Sequence, residues 1–368
     1  MNNASKIPCD LLAYPQDEKY AENIRQFQGC PSIAVTAGGR IFLAWYSGGT
    51  REPHMDNYNL LIYSDDNGKK WSEPVLVIPS SREKFIHALD IQLWMSPQGK
   101  LFIFWVQNNT ELNSAVKPVA KEGQPLAFVE GYMFNDFEHA EWLCVCEDPD
   151  AERLSFSKPR YLDKGFLRCK PLVLKNGNWI QFNYDQIEDR YGYSISTDNG
   201  FSYQRYYGAR KLSTHFDEAM AYEKEDGSIR MLARTSLGKL AQSVSLDGGY
   251  KWQPTELTDI DSPNTRFFIA RTPSGRVLLI NNDHQKERRN MTVYLSEDDG
   301  ATWKFKRCID DRNSLSYPDV DFYDGKIYLT YDRERTGAKE ILFTIFTEED
   351  VMDCSREINL AVVSKPER

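Results

Sequence analysis

Arg234, in IRMLARTS, interrupts a strand that is otherwise apolar on one face, and it heads a set of residues whose types can do chemistry. Asp217 and Glu218, in HFDEAMAYEKEDG, lie just before the turn that leads to it. Arg288 and Arg289, in KERRNMTVYL, precede another strand, and Tyr317 with Asp319, in LSYPDVDFYDG, stands close to Tyr331, Asp332, Arg333 and Glu334. Nearer the N-terminus, Arg51 and Asp56 share the segment SGGTREPHMDNY, and Asp90 follows. Carboxyl groups exchange protons, a tyrosine hydroxyl can act as a nucleophile, and arginine forks grip carboxylates. His54, His87, His139, His215 and His284 lack metal-ligand spacing, and His139 with Cys144 and Cys146 fits no zinc pattern. No glycine-rich phosphate loop or dinucleotide fingerprint occurs. The expectation is chemistry by side chains alone, with no organic cofactor and no metal.

Residues so distant in sequence need a scaffold that gathers them, and the repeats supply it. Ser-x-Asp-x-Gly-x-x-aromatic occurs four times, at Ser64/Asp66/Gly68/Trp71, Ser196/Asp198/Gly200/Tyr203, Ser245/Asp247/Gly249/Trp252 and Ser296/Asp298/Gly300/Trp303. The last three start 49 and 51 residues apart. Such a motif suits a hairpin turn, where Ser or Asp bonds to nearby amides and Gly supplies a positive φ. One further step of 49 back from Ser196 lands on Glu147, in CEDPDAERLSFSKP, a decayed copy. A second count agrees: a glycine turn followed by an apolar strand occurs six times, at Gly39, Gly99, Gly177, Gly227, Gly275 and Gly325. Six units of about 50 residues, all short strands, predict an all-β, six-bladed β-propeller over residues 1–368 as one domain. A pair of β-sandwiches would not need a turn recurring at one interval.

The surplus length of the second unit predicts an insertion at about 106–137, and repeat closure predicts that the N-terminal segment pairs with the last blade, whose outer part includes EILFTIFTEEDV. The chain has 368 residues, with 45 Lys+Arg against 54 Asp+Glu and a net charge of −9. That charge disfavours nucleic acid as a partner, and no apolar run approaches the roughly 18 residues of a membrane helix. Seven cysteines, Cys9, Cys30, Cys144, Cys146, Cys169, Cys308 and Cys354, are an odd number without framework spacing. With an N-terminus that has no basic head and no apolar stretch, they point to a cytoplasmic protein.

The four turns resemble the Asp boxes of the sialidase (neuraminidase) superfamily, over nearly the whole chain. That resemblance implies a tyrosine nucleophile paired with a glutamate, an aspartate acid/base, and three arginines that hold a substrate carboxylate. It places Tyr317 as nucleophile through SYPDVDFYDGKIYLTYD, Glu218 and Arg234 as its partner and the second arginine, and Arg288 rather than Arg289 as the third. In MDNYNLLIYSDDNG it points to Asp56 as the acid/base. Asp217, Arg51, Asp90 and Asp332 join as substrate-binding candidates, and the residues alone do not separate Asp217 from Glu218. The departure lies in the first arginine, because FQGCPSI carries Gly29 where the superfamily has it. Arg25 and Arg51 are the nearby cations, neither in register, and losing one charged arm weakens carboxylate binding by roughly 1.5–3 kcal/mol.

The resemblance therefore implies an exo-acting, retaining glycosidase that removes a terminal acidic sugar from a small glycan. The alternatives are the same fold acting on another sugar, such as an α-L-rhamnoside or a uronic acid derivative, and a non-catalytic glycan-binding propeller. A substrate without an anionic group would favour a direct carboxylate pair drawn from Asp56, Asp90, Asp217 and Glu218.

Overall fold

In a computed structural model, the described residues are 6–84, 86–112, 128–129, 132–185, 188–213 and 216–366, and side chains are described outside 109–138. They form six antiparallel sheets, one after another along the chain, arranged as the blades of a β-propeller. The inner strands are Gln28–Val35, Ile86–Met95, Leu172–Val173 (with Phe166–Leu167), Met220–Glu223, Phe268–Arg271 and Leu315–Tyr323. The second strands of blades 1, 2 and 5 begin with continuous apolar runs, at 41–46, 101–106 and 277–280, and in Ile41–Ser47 every residue is buried. Both faces of a blade pack on its neighbours, so alternation gives way to full burial. Trp45, Trp105 and Trp179 lie in these interfaces, each at most 1% exposed.

The two turn families take the places expected of them. All six glycine turns join the first strand of a blade to the second, and each glycine has a φ between +70° and +95°. The four Asp boxes each begin at the last residue of a third strand, at Ser64, Ser196, Ser245 and Ser296. In each box the serine hydroxyl donates to the aspartate Oδ1 at 2.7–3.0 Å and accepts the glycine amide at 2.8–3.0 Å. The same Oδ1 accepts an amide four residues on, at 2.8–2.9 Å. Glu147 follows the third strand of blade 2, Tyr132–Cys146, at the corresponding place. In blade 6 a helical turn, Glu348–Met352, capped by Thr347, stands there instead.

Closure differs from the expectation. Leu12–Ala13 pairs with Leu76–Ile78 at the outer edge of blade 1, and the last blade is built wholly from the C-terminal segment. Glu340–Phe346 is its third strand and Ala361–Ser364 its outer one. Repeat logic supplied too few strands only if blade 6 needed a borrowed one, and the tail after the helix fills that role. The seam between blades 6 and 1 is held by polar contacts: the Gln28 side chain donates to the Ser364 hydroxyl at 3.0 Å, and the Cys30 amide donates to Asp332 at 2.7 Å. Of the expected insertion at 106–137, residues 113–127 and 130–131 lie outside the described residues, as does His215. No described helix is long and apolar enough to cross a membrane.

Candidate active site

Residues in the inner strands or next to them meet in one cluster, one from each blade: Cys30, Asp90, Arg168, Glu218, Arg266 and Tyr317, from blades 1 to 6. Four of them, Cys30, Asp90, Glu218 and Tyr317, have positive φ between +30° and +56°. Three of these sit in bulges where the pairing with the second strand shifts, at Gly29/Ser32, Leu89/Gln92 and Ser316/Asp319. A bulge re-aims a side chain, and left-handed backbone at a non-glycine residue is strain that the packed blades must hold. Here it turns residues from the strand face towards the axis.

Tyr317 and Glu218 meet there. The Tyr317 hydroxyl donates to Glu218 Oε1 at 2.5 Å, and Arg234 donates to Glu218 Oε2 at 2.7 Å and to the Tyr317 hydroxyl at 3.4 Å. Burial would raise the Glu218 carboxyl, but the charges of Arg234 and Arg168 and the Tyr317 hydrogen bond outweigh it and hold the group at about 2. Burial, joined by the Glu218 charge, pushes the Tyr317 phenol well up. At rest the proton therefore sits on Tyr317 and Glu218 is an anion. Asp217, the adjacent carboxylate, turns away to Lys211 at 3.1 Å. The structure thus separates the two acids that the sequence left together.

Four more guanidinium groups ring Tyr317: Arg335 lies 4.4 Å from the ring centroid, Arg168 5.5 Å, and Arg266 and Arg288 5.9 Å each. Arg168 pairs with Asp90, whose carboxyl is raised by burial to about 7 against that opposing charge. Arg266 pairs with Asp319 at 2.9 Å, and Arg335 with Asp332 at 3.0 Å and with Glu52. Arg288 makes no ion pair among the described residues and donates only to the Asn264 carbonyl, at 3.0 Å. Arg289 points out to Glu287 at 3.8 Å, so Arg288 is the arginine that faces the cluster.

Two candidates occupy supporting places. Asp332 is fully buried; its oxygens take the Ser316 hydroxyl at 2.5 Å, the Cys30 amide at 2.7 Å and Arg335. Asp319 forms the floor, accepting from Arg266, the Ser32 hydroxyl (2.6 Å), the Ile33 amide (2.9 Å) and Gln92 (3.1 Å).

Asp56 is not at the cluster. It forms a two-pronged pair with Arg82 at 2.7 and 2.9 Å and lines a cavity of about 490 Å³ with Lys19, Tyr20 and His54. Arg51 lies on the same loop, with its carbonyl accepting from Asn57 at 3.1 Å. Arg25 is held elsewhere, donating to the Tyr20 carbonyl at 2.9 Å and stacking near Trp45. The loop carboxyl that does reach the cluster is Glu52, through Arg335.

Sequence reasoning missed Glu52, Arg168, Arg266 and Arg335. The signal for two of them was the repeat itself, since steps of 51, 48 and 50 residues back from Tyr317 land on Arg266, Glu218 and Arg168. Among the described residues no group of three or more His, Cys, Asp or Glu side chains could hold a metal, and all seven cysteines are free.

A family model described as a BNR repeat-like domain matches residues 39–329. The chain belongs to the BNR repeat-like family. Among curated proteins, Sialidase B of Streptococcus pneumoniae serotype 4 is 22% identical over 330 residues, which cover 81% of this chain and 43% of that protein. The chain thus spans less than half the length of this relative. The NanB sialidase of Streptococcus pneumoniae superposes with a TM-score of 0.67 at 16% identity, covering 94% of this chain and 71% of that one. The intramolecular trans-sialidase of Ruminococcus gnavus, solved with oseltamivir carboxylate, gives 0.66 at 16% identity, covering 93% and 98%. A protein of unknown function from Dyadobacter fermentans gives 0.64 at 18%, covering 90% and 95%. These likenesses show that the propeller is a sialidase-type fold.

Proposed function

We propose that the protein is a retaining exo-glycosidase that removes a terminal acidic sugar, with Tyr317 as nucleophile and Glu218 as its proton acceptor. The observation that carries this reading is the Tyr317–Glu218 hydrogen bond inside a ring of five arginines, one of which, Arg288, has no carboxylate partner among the described residues. A half-buried cation without a counter-ion favours an anionic ligand. A carboxylate next to the anomeric carbon would repel an anionic nucleophile, whereas a neutral phenol approaches without that penalty. Sialidase names among the relatives support a sialoside as the first substrate to try.

In the first half-reaction the phenolic oxygen bonds to the anomeric carbon while the bond to the leaving oxygen breaks. The phenol proton passes to Glu218, and an acid protonates the leaving oxygen. In the second half, water attacks the anomeric carbon, the Tyr317–carbon bond breaks, the phenolic oxygen takes its proton back from Glu218, and the acid, now a base, takes the proton of the attacking water. The resemblance assigns the acid to Asp56, but Glu52 is the loop carboxyl beside Arg335, and we assign the role to Glu52. A ligand that took over Arg335 would release Glu52 towards the leaving oxygen.

The test is hydrolysis of aryl glycosides of N-acetylneuraminic acid, glucuronic acid and rhamnose by wild type, Tyr317→Phe, Glu52→Gln and Asp56→Asn. Turnover of an acidic glycoside, abolished by Tyr317→Phe and lowered more by Glu52→Gln than by Asp56→Asn, is expected. Glu52→Gln should lose least on substrates with good leaving groups, as befits an acid. The reverse order of the two loop variants would return the role to Asp56, and glycan binding with no turnover on any glycoside would make the protein a binding propeller.

A further inference from the structure

The backbone at Gly29 has no positive φ, so its conformation does not demand glycine. What excludes a side chain there is Arg335. A Cβ built on Gly29 would lie 2.7 Å from Arg335 Cδ and 2.8 Å from its Cγ and Nε. These are mid-stem atoms, which cannot swing aside while the guanidinium stays in place. The two positions are also joined through the backbone, where the Gln28 amide donates to the Arg335 carbonyl at 3.1 Å. Asp332 Oδ2 fastens the arrangement by accepting from both the Cys30 amide and Arg335 Nε.

From this we infer that Arg335, on the segment that follows the second strand of blade 6, replaces the arginine missing at position 29 and forms a carboxylate-binding arm with Arg234 and Arg288. The inference rests on the proposed acidic substrate and deepens it by naming the residue that reads the acid group. The cation enters the same volume from blade 6 rather than blade 1. Asp332 keeps Nε, so the Nη edge is the part offered to a ligand, and Glu52 and, at 3.3 Å, the Ser316 hydroxyl hold that edge in the free protein. Burial and the charge of Arg335 both push the Arg288 guanidinium below its usual value, in keeping with two cations that share one anion.

Binding separates this role from a structural one. The probes are 2,3-dehydro-2-deoxy-N-acetylneuraminic acid and methyl glucuronoside, each measured by calorimetry against its own methyl ester. The proteins are wild type, Arg335→Ala, Arg335→Lys and the exchange variant Gly29→Arg/Arg335→Ala. Wild type should prefer the acid of at least one pair, and Arg335→Ala should weaken that acid roughly 10- to 100-fold while leaving the ester within about threefold. Arg335→Lys should recover part of the loss, and the exchange variant should bind the acid more tightly than Arg335→Ala alone. That last comparison holds even if Arg335→Ala is less stable, because both variants lack the same side chain.

Equal weakening of acid and ester, or an exchange variant no better than Arg335→Ala, would overturn the assignment. A wild type that prefers no acid over its ester would also overturn it, whereas Tyr317-dependent turnover of a neutral glycoside in that case would leave the glycosidase reading intact. An acid preference that depends on Arg335, without turnover of any glycoside, would keep the arm and reject the catalytic reading.

Discussion

The Asp-box turns and the cluster in which Tyr317 sits are both products of the same repeat, yet they have diverged to opposite degrees. At the turns, four copies keep the same serine, aspartate and glycine with the same hydrogen bonds, each satisfied within its own loop. In the cluster, six positions, one from each blade, hold five residue types, and their partners come from other blades: Glu218 bonds to Tyr317, and Arg266 to Asp319. Local satisfaction lets a unit be copied unchanged. Cross-blade pairing requires each copy to differ, because a charge needs its opposite on a neighbour. The chemistry therefore lies where the repeat has lost its sequence identity and kept its geometry.

The largest effect should come from the cluster. Tyr317→Phe removes the nucleophilic oxygen and should lower turnover of an acidic glycoside by roughly 10³-fold or more, measured as kcat/KM, with thermal stability little changed. Glu218→Gln keeps the shape but removes the proton acceptor and the counter-charge of Arg234, and should cost roughly 10²-fold or more in kcat. Because Glu218 stays ionised down to about pH 2, the acid limb of the wild-type profile should not report this group. An acid limb that disappears in Glu218→Gln would contradict the pairing described here.

The turns should respond in the opposite sense. Asp247→Ala removes Oδ1, which accepts from the Ser245 hydroxyl and the Lys251 amide, and should destabilise the fold by about 1 kcal/mol in urea titration while kcat is unchanged. If turnover fell with it, the separation of scaffold from chemistry would be wrong.

The smallest effect sits between blades 2 and 3, away from the inner strands. Glu141 is fully buried between the Asn183 and Gln181 amides, and burial raises its carboxyl to about 8. Between the unfolded value of roughly 4.3 and 8 the folded state binds more protons, so this group's contribution to stability is present at low pH and lost as pH rises through that window. Glu141→Gln should flatten the fall of Tm with pH, raising Tm at pH 8 relative to wild type. A wild-type Tm that climbs steadily from pH 5 to 8, with no gain in the variant, would count against it.

The scaffold was legible in the sequence because its signals are local. A glycine turn or an Asp box writes its hydrogen bonds within five residues, and Tyr317, Glu218, Arg234 and Arg288 could be placed because each lies in a segment with a recognisable pattern. Glu52 and Arg335 were not legible, because their positions depend on loops that reach the cluster from blades 1 and 6 and meet only in three dimensions. The sequence showed an absent arginine at Gly29, but a glycine does not say which side chain fills its space. Blade closure failed for a related reason: the pairing of Leu12–Ala13 with its own blade follows from the tail of blade 6 already supplying four strands.

In the proposed reaction the phenolic oxygen of Tyr317 forms a bond to the anomeric carbon of an acidic sugar. It is tested most directly by incubating the wild type with 2,3-difluoro-N-acetylneuraminic acid, which slows release of a glycosyl intermediate, and then mapping the adduct by mass spectrometry of peptides. One added glycosyl group is expected on the peptide carrying Tyr317, and none on Tyr317→Phe. An adduct on a carboxylate such as Glu218 or Asp90, or an unmodified wild type that nevertheless hydrolyses sialosides, would contradict it.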